Sequence, residues 1–334
     1  MSSRVAICVN PYSGRDVRRL AARATNMTHE AKRDIVARIA AGLDAARVTD
    51  IYITREPFRI ASMALEHMPL RARVHVLEHP IANDARDTER ALAAFIGEGC
   101  TTFVSLGGDG TNRAIVRAAP EIDLVPISTG TNNVFPRLVE PTLAGVVAGH
   151  LARGNVPREL LRRAKVLHVN LGNGATDVGL IDAVLLANDH VGNMLPFDAD
   201  KLLRVLLTRA EPDAIGMSPI GGFLDVVEAQ DDCGLLVEMA GAREARHRFE
   251  APLSPGFFRK VSVASTTRVA LDVPVLFNGP GVLALDGDRD HKIVAGHGVS
   301  VVIRRNGPWV PDVALVMRAL VARGIIGSLP GEST

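Results

Sequence analysis

The first half of the chain alternates short apolar runs with longer amphipathic segments. The apolar runs predict buried strands, and segments with apolar residues three or four positions apart predict helices. The strands are predicted at 4–9, 50–54, 73–77, 102–106 and 124–127. The helices are predicted around Ile35–Leu43, at 57–67, around Leu92–Ile96, from near Arg113, and at 141–153. Strands that alternate with helices predict a parallel, doubly wound, Rossmann-like sheet.

The pattern changes after about residue 160. Two β runs, 164–170 and 176–187, flank Gly172-Asn173-Gly174, which is a hairpin signal. A short helix is predicted at 198–209, and many short β runs follow. They lie at 222–228, 234–239, 246–251, 260–264, 267–272, 274–277, 281–285, 291–294 and 298–304. Short strands at close spacing predict a β-rich, sandwich-like C-terminal domain.

A last amphipathic helix is predicted at 311–323, with Val313, Val316 and Leu320 on one face. We expect this helix to return and pack on the first domain. The predicted division is therefore an α/β nucleotide-binding domain, 1–160 plus 307–334, and a β-rich substrate domain, 161–306.

The most informative loop follows the strand at 102–106. It contains Gly107, Gly108, Asp109, Gly110, Thr111 and Asn112. Glycines let the backbone approach a ligand closely, and open α/β sheets bind ligands at the carboxyl ends of their strands. Thr111-Asn112 can cap the following helix, whose N-terminus favours phosphate. An ordinary βα turn is the alternative, but such a turn needs one glycine and this loop has three.

Two further loops resemble this one in composition. Ser128-Thr129-Gly130-Thr131-Asn132-Asn133 follows the strand at 124–127, which predicts a crevice shared with the first loop. Asn10-Pro11-Tyr12-Ser13-Gly14 is a dense turn signal after the first strand. Four arginines at helical spacing follow it and could collect phosphate oxygens or form a solvated helix face. They are Arg15, Arg18, Arg19 and Arg23.

Composition excludes several classes of protein. The 334 residues include 47% hydrophobic and 22% charged residues, which is typical of a globular protein. A net charge of +1 and only 4% aromatic residues give no reason to expect a nucleic-acid partner. No uncharged apolar run approaches a membrane span of about 20 residues. Cys8, Cys100 and Cys233 show neither zinc spacing nor a disulfide framework, which predicts a cytoplasmic protein.

Other catalytic motifs are absent. There is no P-loop signature and no nucleophile elbow around a serine. Gly279–Ala284 matches a loose dinucleotide pattern, but it lies among β runs with no helix after it, which favours a hairpin turn.

Gly107-Gly108-Asp109-Gly110-Thr111 resembles the signature of the superfamily of NAD kinases and diacylglycerol or sphingosine kinases. Three further segments resemble other motifs of these kinases: Asn10-Pro11-x-Ser13-Gly14, Gly130-Thr131-Asn132-Asn133-x-x-Pro136 and Asp286-Gly287-Asp288. Residues 10–20 are most similar to the ATP-NAD kinase/AcoX branch, which is named for acetoin catabolism. The resemblance extends to about residue 305 and implies the same two-domain fold.

The resemblance implies a role for each motif. Asp109 corresponds to the aspartate that orients or deprotonates the acceptor hydroxyl. The glycine loops would bind nucleotide phosphates, and Asn132 and Asn133 would lie beside the nucleotide. Asn188-Asp189 lies where NAD kinases place an Asn-Glu pair that contacts the dinucleotide; a strand-end turn is the alternative. The segment by which typical NAD kinases hold the dinucleotide is missing, and Ile215–Phe223 occupies that region.

The chemistry expected is phosphoryl transfer from ATP, in which positioning and charge neutralisation supply most of the rate. Mg²⁺ would bridge donor phosphates, with Asp286 or Asp288 as its ligand; both are alternatively hairpin residues. Arg113 and Arg137 could neutralise charge or be surface or structural residues. Three hypotheses stay open. The protein is an NAD kinase-like enzyme that phosphorylates NAD, as in NADP biosynthesis, or a related small molecule; or it is a lipid kinase of the same fold; or it is a non-catalytic nucleotide-binding regulator. A homo-oligomer is also expected.

Overall fold

The computed structural model describes residues 2–15, 22–24, 26–241 and 243–327. Arg18 and Arg19, two of the four arginines expected beside the first loop, lie outside the described residues. Within the described residues, no helix is long and apolar enough to cross a membrane.

The first half of the chain forms a parallel sheet with helices on both faces. Its first five strands are β1 (Arg4–Val9), β2 (Asp50–Thr54), β3 (Arg73–Leu77), β4 (Thr102–Gly107) and β5 (Asp123–Ser128). The helices between them and after β5 are α1 (His29–Ala45), α2 (Ile60–Leu65), α3 (Ala85–Gly97), α4 (Asp109–Ala118) and α5 (Pro141–Ala152). The strand order β3-β2-β1-β4-β5 confirms the doubly wound α/β fold expected from the sequence.

Side-chain alternation along β1 explains why both faces are covered. Val5, Ile7 and Val9 belong to the core that contains α1 and α5, whereas Ala6 and Cys8 belong to the core that contains α3 and α4. A strand buried on both faces reads as a continuous apolar run, which is the pattern found in the sequence.

The second half is antiparallel and β-rich, as expected. It follows β6 (Leu161–Arg163), which belongs to the first sheet. Its strands are β7 (Val166–Asn170), β8 (Thr176–Gly179), β9 (Asp182–Leu186), β10 (Leu202–Leu207), β11 (Cys233–Met239), β12 (His247–Ser254), β13 (Phe257–Ala270), β14 (Pro274–Asn278), β15 (Gly281–Leu285), β16 (Asp288–Ile293) and β17 (Gly298–Arg304). A seven-stranded sheet has the order β12-β13-β11-β10-β9-β15-β16, and a four-stranded sheet has the order β14-β17-β7-β8. Leu206 and Leu283 of the larger sheet pack with Leu167 and Val301 of the smaller one.

The end of the described chain returns to the first sheet. The strand β18 (Trp309–Pro311) pairs with β5 on one side and with β6 on the other. The helix α7 (Val313–Ala322) begins after Asp312, whose carboxylate accepts the Leu315 amide at 2.9 Å. Val316 and Leu320 are buried in the same core as α1 and α5, and Val313 packs against it. The terminal helix therefore packs where its apolar face predicts.

Two predicted elements are wrong. The helix predicted at 198–209 is instead a 3₁₀ turn, Ala199–Lys201, followed by β10. Val205, Leu206 and Leu207 are all fully buried, because Val205 and Leu207 pack in one core and Leu206 packs in the core on the other face of the sheet. This stretch therefore shows no strand periodicity. The strand predicted at 222–228 is also absent, because α6 (Ser218–Gly222) precedes a turn.

Other differences concern boundaries. The run at 176–187 is divided between β8 and β9, which belong to different sheets, and the runs at 260–264 and 267–272 form the single strand β13. The helix α4 starts at Asp109 with Gly108 as its N-cap, so Thr111 and Asn112 lie inside its first turn and do not cap it.

Candidate functional site

A cavity of about 400 Å³ lies at the carboxyl edge of the first sheet, between that sheet and the β-rich domain. Most of the residues expected to bind nucleotide or metal line it: Asn10, Ser13, Gly14, Gly108, Asp109, Gly110, Thr111, Gly130, Thr131, Asn132, Asn133, Asp286 and Asp288. The structure thus brings the loops after β1, β4 and β5 to one crevice. Gly107, Asn112, Asn188 and Asp189 do not line it.

The turn after β1 is fastened to the neighbouring loops. Asn10 Nδ2 donates to Thr111 Oγ1 at 2.8 Å, and the Ser13 and Thr129 hydroxyls lie 2.7 Å apart. Beneath them, the fully buried Lys32 Nζ donates to the carbonyls of Asn10 and Pro11, each at 2.8 Å. Lys32 was missed from the sequence, although it lies one helical turn before Ile35 and Val36 on the apolar face of α1.

Two glycines of the central loop are required by close contacts. A Cβ on Gly107 would lie 2.4 Å from the Cβ of Thr111, and one on Gly108 would lie 2.7 Å from the Asn133 side-chain amide. At either position a side chain would require its neighbour to move. Gly107 thus lets Thr111 of α4 lie against the end of β4, and Gly108 lets the loops after β4 and β5 approach each other. Gly110 is different, since its nearest neighbour, Asp288 Oδ2, would lie at an ordinary 3.5 Å.

Asn112 has a structural role and does not reach the cavity. Its side chain is fully buried, accepts the Ser105 hydroxyl at 2.7 Å and donates to the Gly108 carbonyl at 2.9 Å. The assignment of Asn112 to nucleotide binding is therefore corrected, because both of its polar atoms join α4 to β4 and its preceding turn.

The loop after β5 contains two asparagines with different surroundings. In the orientation that satisfies its whole amide, Asn133 donates to the Asn132 carbonyl and accepts from Ser128 Oγ and the Gly130 amide. Asn132 lines the cavity, and its buried Oδ1 has no hydrogen-bond partner among the described residues.

Asp109 lies at the centre of the site. It is the first residue of α4, and only 9% of it is exposed. Its carboxylate accepts the backbone amide of Val134 at 3.1 Å and that of Phe135 at 2.9 Å. Burial, and next the charge of Asp286, raise the pKa of Asp109 to about 7, although the two amides oppose the shift. A carboxylate with this pKa can exchange a proton near neutral pH.

Two more buried aspartates surround this group. Asp182 lines the cavity, and its buried Oδ1 has no hydrogen-bond partner in the part of the chain that the structure describes. Burial raises the pKa of Asp182 well above its usual range, and the charges of Asp286 and Asp109 add to the effect. Burial also raises the pKa of Asp286. Asp182 was missed from the sequence; its signal is a single carboxylate inside the apolar run Leu180–Leu186.

The two aspartates expected to bind metal differ. The Asp286 carboxylate accepts the amides of Leu180, Ile181 and Asp182 at 2.7–3.2 Å, so it joins the second domain's strands and is engaged on both oxygens. Asp288 is half-buried and lines the cavity. Mg²⁺ usually takes one or two carboxylates together with substrate phosphates. Asp288 is a carboxylate on the cavity wall whose Oδ2 lies 3.7 Å from Arg113 Nη1. Asp288 is therefore the better of the two expected ligands.

Asn188 and Asp189 are placed differently from the expected substrate contact. Asp189 Oδ2 accepts Arg289 Nε at 2.7 Å, and both side chains are only 2% exposed. The other oxygen, Oδ1, accepts the amide of His190 and the side chain of Asn193. Asn188 adopts a left-handed backbone conformation, as in a turn at a strand end. Asp189 does not line the cavity. Its carboxylate forms an ion pair with Arg289 and thereby stabilises the loop after β9.

The arginines near the loops also differ from one another. Arg113 is 2% exposed and donates to the carbonyls of Val178 and Leu285 while pairing with Asp177 and Asp290 at 2.7 and 3.0 Å. It is therefore a structural arginine between the two domains. Arg137 is half-exposed and pairs with Glu211 at 2.7 Å. Arg15 and Arg23 do not line the cavity.

The segment that replaces the expected dinucleotide-binding motif lies at the cavity. Ile215, Gly216 and Met217 line it, together with Leu253 and Ser254 at the end of β12. The second domain therefore contributes an apolar wall where the sequence lacks the usual polar motif.

A parallel α/β layer with a glycine-rich loop, joined to an antiparallel β-rich domain, is the architecture of NAD kinase-like proteins. Residues 5–156 match the ATP-NAD kinase N-terminal domain. The fold is similar to that of yeast NADH kinase complexed with NADH, with a TM-score of 0.52, 14% identity, and coverage of 99% of this chain and 90% of that one. A putative diacylglycerol kinase from Bacillus anthracis shows a TM-score of 0.47 at 15% identity, covering 94% of this chain and 99% of that one.

Within this class, residues 165–306 match the acetoin catabolism protein X C-terminal domain. The chain is also 32% identical over 339 residues to acetoin catabolism protein X of Cupriavidus necator, covering 98% of this chain and 94% of that protein. The chain belongs to the acetoin catabolism protein X family.

Proposed function

We propose that this protein is a phosphotransferase that moves the γ-phosphoryl group of ATP to a hydroxyl of a small molecule. The observation that carries the proposal is Asp109, a buried carboxylate at a helix N-terminus with a pKa of about 7, facing a cavity bordered by glycine loops. Domain 1–160 with 307–334 would bind the nucleotide, and 161–306 would bind the acceptor.

The loops supply the donor side of the reaction. Backbone amides around Gly108, Gly110 and Gly130 and the N-terminus of α4 would hold phosphate oxygens. Asn132 Oδ1 offers an acceptor for a hydroxyl or an amino group of the donor. Mg²⁺, when held by Asp288 and the donor phosphates, would neutralise charge on the transferred group.

Asp109 and Asp182 supply the acceptor side. A hydroxyl between them would donate to Asp109, which holds it in line with the γ-phosphorus and takes its proton as the new bond forms. The amides of Val134 and Phe135 fix the carboxylate in place during this step. The proton then leaves to solvent when the product dissociates.

The test compares Asp109→Asn with the wild type in nucleotide affinity and in turnover. Asn keeps the shape but cannot take a proton, so ATP should bind nearly normally while kcat falls by about 10²–10⁴-fold. Asp225→Asn is the matched control, because Asp225 forms an exposed pair with Arg268 away from the cavity. Turnover of Asp109→Asn within a few-fold of the wild type would reject the proposal, as would loss of affinity and turnover in equal measure.

A further inference from the structure

The cavity has walls of two kinds. The α/β layer contributes glycines, hydroxyls, amides and the carboxylates of Asp84, Asp87 and Asp109. The β-rich domain contributes Ser254, Asp182, Asp286, Asp288 and Arg289 and, beside them, an apolar wall. That wall consists of Leu195, Pro196, Phe197, Ile215, Met217 and Leu253. Leu195 is 64% exposed, so this apolar wall includes a large side chain that is accessible from solvent. An apolar wall gains free energy by covering a carbon body, and it offers nothing to a charged or strongly polar ligand.

The charged side chains that line the cavity also disfavour an anionic acceptor. Asp109, Asp182, Asp286 and Asp288 line it, and the one cationic side chain among its described lining residues is Arg289. Arg289 Nε pairs with Asp189 at 2.7 Å, Nη1 donates to the Asn193 and Leu195 carbonyls, and the guanidinium lies 4.4 Å from the Phe197 ring. Its side chain is 2% exposed. Arg289 therefore holds the wall in place and has no surface left for an anionic acceptor.

The same contacts make this wall firm. The Gly192 amide donates to the Arg289 carbonyl at 2.9 Å, so the loop carrying Leu195–Phe197 is attached to the Asp286–Arg289 turn through both backbone and side chain. A volume of about 400 Å³ lies at the low end of the roughly 300–1,000 Å³ range of small-molecule pockets.

We infer that the acceptor is an uncharged alcohol with a compact apolar body, which lies on Leu195, Phe197 and Met217 while its hydroxyl lies between Asp109 and Asp182. This rests on the proposed function. In the reaction, the bond from the γ-phosphorus to the ADP oxygen breaks, and a bond from phosphorus to the alcohol oxygen forms. The hydroxyl proton moves to Asp109, and ADP and a phosphate monoester leave.

The first experiment measures transfer from γ-phosphate-labelled ATP with Mg²⁺ to four probes: butanol, benzyl alcohol, glycerol and NAD⁺. We expect kcat/KM for butanol or benzyl alcohol to exceed that for glycerol by at least about tenfold, with no transfer to NAD⁺. Preferred transfer to NAD⁺ or glycerol would overturn the inference and leave the proposed phosphotransferase intact. ATP binding and hydrolysis without transfer to any alcohol would also overturn it. Absence of both ATP binding and hydrolysis would instead reject the proposed function.

The second experiment changes the wall itself. Leu195→Asp should lower kcat/KM for the preferred alcohol by about tenfold or more while leaving the ATP-induced rise in melting temperature unchanged. Leu138→Asp is the matched control, because Leu138 is 88% exposed and does not line the cavity. Equal alcohol kinetics for Leu195→Asp and Leu138→Asp would overturn the inference. A folded Leu195→Asp is expected because the side chain is largely in solvent, and its circular dichroism spectrum checks this.

Discussion

Two groups of acidic residues lie near α4, and the protein shifts their pKa values in opposite directions. Asp177 and Asp290 surround the buried Arg113, and Asp177 also contacts Arg117 and His291. Burial alone would raise the pKa of Asp177, but the His291 hydrogen bond and the charges of Arg113 and Arg117 lower it below its usual range. At the other group, burial and mutual repulsion raise the pKa of Asp109 and Asp182.

The difference separates a structural cluster from a candidate site. Around Arg113 every carboxylate has a cation or a backbone partner, and the cluster ties α4 to β8 and β16. Asp177, Asp290 and His291 also bring ligand atoms within 4.8 Å of one another, yet the arginines already neutralise them. Around Asp109, burial outweighs the charges of Arg209 and Arg113, so the pKa of Asp109 and that of Asp182 stay raised. Asp182 Oδ1 has no hydrogen-bond partner among the described residues. Folding alone does not favour such an arrangement, and perturbed groups in a cleft are candidates for function.

The largest expected effect comes from breaking the compensated group. Arg113→Met would leave Asp177 and Asp290 without their buried cation and should lower the free energy of unfolding by about 3–5 kcal/mol. Urea unfolding measures this change. Arg117→Met is the control, because Arg117 pairs with the same Asp177 but is 39% exposed. It should cost about 1 kcal/mol or less, and equal losses in the two variants would contradict the comparison.

The stability that Asp109 contributes should fall as the pH rises, because its pKa is raised. The lowered pKa of Asp177 has the opposite effect. The pKa of Asp109 rises from 3.8 to about 7 on folding, so its contribution to stability is complete below about pH 4 and is lost as the pH rises through 7. Between pH 5 and pH 8 this loss amounts to about 3 kcal/mol in the wild type. Asp109→Asn lacks it, so the variant should gain that amount relative to the wild type over this range. Unfolding curves at both pH values test this; a difference that does not change with pH would contradict the raised pKa.

The same titration predicts the direction of activity with pH. Asp109 must be ionised to accept a proton, so kcat should rise through about pH 7 and level off above it. Asp225→Asn, the exposed control, should keep this profile. A profile that falls through the same range would exclude Asp109 as the base.

A smaller effect is expected from closing the cradle without touching any charge. Gly108→Val would place carbon atoms against Asn133 and fill the approach between the loops after β4 and β5. ATP at 100 times its Kd stabilises a protein by about 2.7 kcal/mol, and Gly108→Val should remove most of that shift. Gly97→Val is the control, since a Cβ at Gly97 meets nothing within 4 Å. Retention of the full ATP shift in Gly108→Val would argue against the cradle.

The smallest effect belongs to an ion pair whose arginine is half-exposed and whose carboxylate, Glu211, is buried. Arg137 is half-exposed beside Glu211, so Arg137→Ala should change stability by no more than about 1 kcal/mol. Thermal unfolding in low and high salt measures it. A loss comparable to that of Arg113→Met would mean that charge alone, without burial, decides the contribution.

Much of the first domain could be predicted because local patterns and tertiary packing agree there. Each strand of the parallel sheet is an apolar run, and each of three loops carries its glycines or small polar residues next to a strand end. The position of Asp109 follows from that order. In β10 the local pattern and the packing disagree. This strand, Leu202–Leu207, lies in the middle of a sheet. Its C-terminal half is buried on both faces, which removes the alternation that would distinguish a strand from a helix.

The second half of the site could not be predicted for a different reason. Pairing between β9, β15 and β16 brings Asp182 to Asp286 and Asp189 to Arg289, in each case over about 100 residues of sequence. Asn188-Asp189 has the residue types of a substrate contact, but only the structure reveals that Arg289 occupies the carboxylate. Likewise, Asp286 and Asp288 are two residues apart and look equivalent in sequence, whereas the amides of residues 180–182 engage just one of them.

The strand β18 has a consequence for synthesis on the ribosome. Trp309–Pro311 pairs with both β5 and β6, so the first sheet gains its link to β6 only after the whole β-rich domain has been translated. A nascent chain that stops before residue 309 holds every strand of that domain but leaves one edge of β5 unpaired. Because domains generally fold as units during translation, we expect the second domain to complete its fold before the first one does.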